Sequence, residues 1–241
     1  ETRNVTETRD YAVATKHKRE VDEIVACFDA DWKRQSFKPE ADSALIWCNT
    51  NGRERFAHFI DRAQHTLWLQ NERYQDAVII ERVVRAAGRG VNVHIVARPP
   101  HTLKKDKLIE GVGGLRIMAD VGCKVHKLKH IRLHGKMLLA DGARAIVGSV
   151  NLSPGSFDAR RELAVLGERG PSGEVVPGTG SIELSARCGG AGAARDVVGQ
   201  PESGQLHHVD GSVGIAPAGD EIGDFSVVDL VVVGVENDGD L

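Results

Sequence analysis

Between residues 44 and 147 the apolar rhythm switches repeatedly between the period of a strand and that of a helix. A chain with this alternation is restricted to a layered α/β architecture. Residues 44–48 form a short apolar run read as a strand. A polar turn then leads to a helix over 53–64, with Phe56, Phe59, Ile60 and Ala63 on one face. Residues 66–69 are β-rich. Residues 76–88 return to helical spacing through Val78, Ile79, Val83 and Ala86, stopped near Gly88 and Gly90. A strand over 91–96 is closed off by Pro99–Pro100, and a helix over 114–121 stops at Gly122. Strands follow at 124–126, 133–140 and 145–147, the last two joined by the tight-turn pair Asp141–Gly142. The expected fold is a mixed β-sheet flanked by helices, with the hairpin adding an antiparallel part.

The ends differ from this body. Residues 9–16 read as a strand and 19–32 as a helix, in which Val21, Ile24, Val25, Phe28 and Trp32 recur at helical spacing. Residues 34–43 lack a period and read as a linker. Residues 167–241 hold sixteen glycines, three Arg, no Lys and thirteen acidic residues, a charge of −10. That segment is expected to be an irregular, flexible acidic tail. The net charge of −3 therefore hides a front part, 1–166, of +7, which suits a phosphate-bearing partner. Cys27, Cys48, Cys123 and Cys188 form no CxxC pair and are expected as free, buried thiols. No apolar run is long enough for a membrane-spanning helix, so a soluble or membrane-peripheral chain is expected.

The chemistry concentrates in 133–166. His134 and Lys136 are two apart and share a strand face, and Ser149 and Asn151 repeat that spacing after the next strand. Two neighbouring strand ends can thus present an imidazole, an ammonium, a hydroxyl and a carboxamide to one point. Lys136 supplies charge to phosphate oxygens, Ser149 and Asn151 supply hydrogen bonds, and His134 supplies either a nucleophile or a proton. Each also has a duller reading: a surface His and Lys, a Ser and Asn shaping a turn, and Asp141 as a turn former. No ligand cluster with metal spacing lies nearby, so chemistry without a metal or other cofactor is expected. Asn71, Glu72 and Tyr74 follow a strand end and are candidate substrate contacts. His126 and His130 are candidate cleft residues, whereas His94 is expected to be structural.

His134, Lys136, Asp141, Gly148, Ser149 and Asn151 fit the pattern HxK-x4-D-x6-GSxN, and in this the chain resembles the phospholipase D superfamily. The likeness extends back through 51–127, notably AAGRGVNVHIV. It implies a phospholipase D-like sandwich over 44–166. It makes His134 a nucleophile or general acid and Lys136 and Asn151 phosphate ligands, with Asp141 structural or orienting. Glu162 becomes the carboxylate that supports a partner half's histidine. Arg160 departs from the Asn that many members carry there. An internal echo aligns RDYAV (9–13) with RELAV (161–165), placing Asp10 where Glu162 stands. Residues 1–33 thus resemble the end of a first catalytic half, whose own HxK motif would lie upstream of Glu1. By the same comparison a helix is expected after Val165, and its absence suggests a frameshift, a truncated gene or a replaced C-terminus.

The resemblance implies a two-step displacement through a phosphohistidine, with the second half supplied by upstream sequence or by a homodimer. Its first substrate class is phospholipid headgroups, by hydrolysis or phosphatidyl transfer, with contact to a membrane surface. A nuclease acting on nucleic acid and an inactive truncated paralogue are the alternatives.

Overall fold

The computed structural model describes residues 8–11, 13, 15, 17–98, 105–128, 132–169 and 175–177. Its elements are β1 (Thr8–Arg9), α1 (Lys18–Trp32), β2 (Leu45–Trp47), α2 (Gly52–Asp61), β3 (Thr66–Gln70), α3 (Ala77–Gly88), β4 (Asn92–Ala97), α4 (Lys105–Asp120) and β5 (Lys124–Lys127). Then come β6 (Arg132–Leu133), β7 (Lys136–Ala140), β8 (Arg144–Gly148), α5 (Pro154–Ala159), β9 (Leu163–Arg169) and β10 (Val175–Pro177). Eight strands form one sheet in the order β10-β9-β8-β7-β3-β4-β5, with β2 also paired to β9. The β3–β4 and β4–β5 pairs are parallel and the others antiparallel, which gives the expected mixed sheet. A separate parallel pair joins β1 to β6.

Strand alternation sends side chains to two cores. On one face Leu67, Leu69, Ile95, Leu138 and Ile146 pack against Phe56, Phe59 and Ile60 of α2 and Ile79 and Val83 of α3. Each such fully buried side chain contributes about 1.5–3 kcal/mol of transfer free energy. On the other face Leu45, Trp47, Ala145, Val147 and Val165 pack against Cys27 of α1 and Val13. Cys27, Cys48 and Cys123 are free and buried, as expected, while Cys188 lies outside the described residues. None of the described helices is long and apolar enough to cross a membrane.

Several elements depart from the sequence expectation. Among the described residues of the 9–16 segment only Arg9 is strand, as the end of Thr8–Arg9. The fourth helix starts at Lys105 rather than near 114. The strand expected over 133–140 breaks at His134–Gly135. Residues 167–169 and 175–177, assigned to the tail, are sheet strands paired to each other, and 178–241 lies outside the described residues. In α1 the apolar stripe is not the buried face: Val25, Phe28 and Trp32 are 51%, 65% and 79% exposed, whereas Glu20, Glu23 and Cys27 are buried. The cause is hydrogen bonding. Trp47 Nε1 donates to Glu23 at 2.8 Å and the Thr15 hydroxyl donates to Glu20, which fixes the helix by its polar edge.

Asp141 shows how the hairpin is locked. Asp141 and Gly142 have φ of 55° and 64°, the positive values a primed hairpin turn needs. The Asp141 carboxylate accepts from the backbone N–H of Gln64, His65 and Thr66 at 2.7–3.2 Å and lies 3.5 Å from Arg144. Burial raises its pKa, but the three amides and Arg144 outweigh that and hold it below the usual carboxylate range. Asp141→Ala is expected to cost about 2 kcal/mol in urea unfolding, from the lost charged hydrogen bonds. Because the folded pKa is lowered, this contribution is complete above the unfolded carboxylate value. It fades as pH falls through the folded one, so the wild-type advantage shrinks in acid.

Candidate active site

Antiparallel pairing explains why the motif converges. Lys136, the first residue of β7, is in register with Gly148, the last of β8, so the two chemistry-bearing ends meet at one sheet edge. The same edge holds the C-terminal ends of the parallel strands β3 and β4. Gly148 is dictated by packing: a Cβ there would lie 2.3 Å from the Leu163 carbonyl and 2.4 Å from Ala164 Cα, so β9 passes against bare backbone.

His134 sits in the break between β6 and β7. Its N–H and that of Gly135 both donate to the Arg9 carbonyl, at 3.0 and 2.7 Å, which pins this loop to the front segment. Its side chain is 55% exposed, and Nδ1 lies 2.6 Å from Asp10 Oδ2. Burial pushes the Asp10 carboxyl up, but hydrogen bonding and charge from His134, the Tyr11 amide and Lys136 bring it below its ordinary value. An ionised carboxylate only accepts, so Nδ1 carries the hydrogen of this contact, an arrangement that leaves Nε2 as the nitrogen able to hold a lone pair.

Lys136 is buried, 7% exposed. Its ammonium donates to the His134 carbonyl and pairs with Glu72 Oε2 at 3.3 Å. Glu72 Oε1 in turn lies 3.3 Å from Arg98 Nη1. The buried ammonium is thus paired with a carboxylate that it shares with a second cation.

Asn151 is buried on the loop after β8, and its Oδ1 has no hydrogen-bond partner. Asn71 holds that loop: Nδ2 donates to the Val150 carbonyl at 3.0 Å, and Oδ1 accepts from the Leu152 N–H at 3.3 Å. Glu162 braces it from the other side, accepting from the Asn151 N–H at 3.3 Å and the Ser156 hydroxyl at 3.2 Å.

His134, Lys136, Asn151 and Glu72 therefore share one edge, and other sequence candidates lie elsewhere. Asp141 caps the opposite end of β7, about 17 Å of strand away at the usual rise per residue. Asn71 is fully buried and bonded to backbone, which removes it from substrate contact. Tyr74 is removed likewise, its hydroxyl donating to the Leu69 and Val96 carbonyls. Burial pushes that phenol well above its ordinary pKa. The Ser149 hydroxyl is engaged with the backbone of Leu163, accepting from its N–H at 3.2 Å. His126 stacks on Trp68 and lies 3.0 Å from His94, 6% exposed, whose pKa burial, then His126 and Lys124, lower to about 4. His130 lies outside the described residues. Sequence reasoning did not pick out Asp10 as a partner of His134, although the RDYAV echo had marked its position. Among the described residues no three His, Cys, Asp or Glu side chains gather as a metal site requires.

A mixed sheet between helices thus carries His-x-Lys and Gly-Ser-x-Asn at adjoining strand ends. Residues 56–171 match the family described as cardiolipin synthase, PLD-like domain, so the chain carries a phospholipase D-like domain. No curated protein matches the chain. Among solved structures, the chain is similar to the phospholipase D family member Nuc from Salmonella typhimurium, at 18% identity over 51% of this chain and 79% of that one, TM-score 0.44. NucT from Helicobacter pylori is similar at 18% identity over 51% and 82%, TM-score 0.42.

Proposed function

We propose that this domain is a phosphodiesterase in which His134 Nε2 attacks phosphorus, acting on the phosphodiester backbone of nucleic acid. The observation that carries the chemistry is the 2.6 Å contact of His134 Nδ1 with Asp10, which turns the ring's basic nitrogen outward. In the first step the Nε2 lone pair forms the P–N bond and the P–O bond to the leaving group breaks. The leaving oxygen takes a proton from a histidine of a second catalytic half. In the second step water attacks phosphorus, yields its proton to that same histidine, and the P–N bond breaks. Lys136 offsets charge on the non-bridging oxygens, and Asn151 contributes its amide N–H groups. Glu162 stands ready to orient the second half's histidine as Asp10 orients His134.

Two observations favour a nucleic-acid backbone over a lipid headgroup. The large exposed apolar side chains among the described residues are Val25, Phe28 and Trp32 on α1, Val78 on α3, Ile117 on α4 and Val121 just after α4. None is at the strand ends and loops bearing His134, Lys136 or Asn151, so the described residues there offer no apolar rim to enter a bilayer. Residues 1–166 also carry +7. The second reading, a phospholipid headgroup, is supported by the description of the matching family.

The test is a paired assay with EDTA present: cleavage of single-stranded DNA and release of choline from phosphatidylcholine vesicles. DNA cleavage that survives the chelator is expected. Choline release without DNA cleavage would favour the lipid reading, and loss of both with EDTA would count against a histidine nucleophile acting without a metal.

A further inference from the structure

Lys136 accounts for the phosphate under attack, yet a second cation stands beside it without a role in that chemistry. Arg98 follows β4, in the descending end of the parallel strands, and its guanidinium is a quarter exposed. Among the described residues Glu72 is its one ion-pair partner, through Nη1 at 3.3 Å. The same carboxylate holds Lys136 through its other oxygen, also at 3.3 Å. Glu72 is thus a spacer one carboxylate wide between two positive groups.

One negative charge shared by two cations leaves the pair with a net positive charge. A guanidinium held through one nitrogen keeps donors on its remaining nitrogens in a fixed fork, a geometry matched to phosphate. Lys136 is buried against the His134 loop, whereas Arg98 is the more exposed cation, further out along the same edge. A single phosphodiester at His134 engages Lys136 and leaves Arg98 unused. A polymer of phosphodiesters carries a second phosphate beside the first, where a second cation can engage it.

We propose that Arg98 forms a subsite for the non-scissile phosphate next to the one under attack, with Glu72 fixing the spacing between the two cations. The proposal rests on the nucleic-acid reading and deepens it, because a lone phospholipid headgroup diester has no neighbouring phosphate to fill this subsite. It makes Arg98 a contributor to chain binding and not to the displacement at phosphorus.

The test uses the full chain and equilibrium binding, so it does not depend on turnover. Fluorescently labelled oligothymidylate is titrated at several salt concentrations into wild type, Arg98→Ala and Arg98→Lys. Bis(4-nitrophenyl) phosphate, which has one phosphodiester, serves as a competitor that reports on the scissile position. In Arg98→Ala, oligothymidylate affinity is expected to fall about tenfold, the worth of one charged hydrogen-bonded contact. The log–log salt slope should become shallower by about 0.7, one phosphate contact on a single strand. Competitor affinity should be unchanged, and Arg98→Lys should restore the slope. An unchanged slope and affinity in Arg98→Ala would remove the subsite while leaving the nucleic-acid reading in place. Equal weakening of both probes would also overturn it, since Arg98 would then act through Lys136. Wild type that binds the competitor but not oligothymidylate would overturn the nucleic-acid reading and the subsite together.

Discussion

His134→Ala is expected to lower turnover by about six orders of magnitude, the scale seen when a covalent nucleophile is removed. The fold should be unaffected. His134 is more than half exposed, and the loop is held by backbone bonds to the Arg9 carbonyl rather than by the ring. Circular dichroism and urea midpoints should therefore match wild type while DNA cleavage disappears. A variant that kept a tenth of wild-type turnover would be incompatible with an attack by this imidazole. The Asp10 contact adds a gradation. Removing the carboxylate frees the ring to rotate or change tautomer but leaves the nucleophile, so Asp10→Asn should lose less than His134→Ala.

Lys136→Ala is expected to lower kcat by about 10²–10³-fold while changing KM only a few-fold, the range for deleting one preorganised donor to transition-state charge. The asymmetry follows from placement. The ammonium is buried and held by the His134 carbonyl and Glu72, so it meets the phosphate in a site that does not need to reorganise as charge builds. Lys136→Arg should not rescue, because a planar fork does not fit a position tied to one carbonyl and one carboxylate oxygen. A rise confined to KM would assign Lys136 to ground-state binding alone.

What the sequence made legible follows the range of the interactions. The seven elements from β2 to β5 and the β7–β8 hairpin were readable because local periodicity sets them. That the strand ends beside His134, Lys136 and Asn151 adjoin was readable because a tight turn brings them together. Asp10 meets His134 across 124 residues, and Glu72 meets Lys136 across 64. No local period reports such contacts, although the RDYAV and RELAV echo pointed toward Asp10. The role of Asp141 was ambiguous because a turn former and a motif carboxylate look alike in sequence, and only the amides of 64–66 separate them. The buried face of α1 was misread for a similar reason. Tertiary hydrogen bonds from Trp47 and Thr15 to its glutamates outweigh the apolar spacing of Val25, Phe28 and Trp32. Residues 167–169 and 175–177 escaped because a glycine-rich, acidic composition hides two short edge strands.

The most direct measurement is the stereochemical course at phosphorus, read with a phosphorothioate diester of one defined configuration and an isotopically labelled water. Two displacements, the first by His134 and the second by water, each invert the centre, so net retention is expected. Net inversion would mean that water attacks the diester in one step and that no bond from His134 to phosphorus forms.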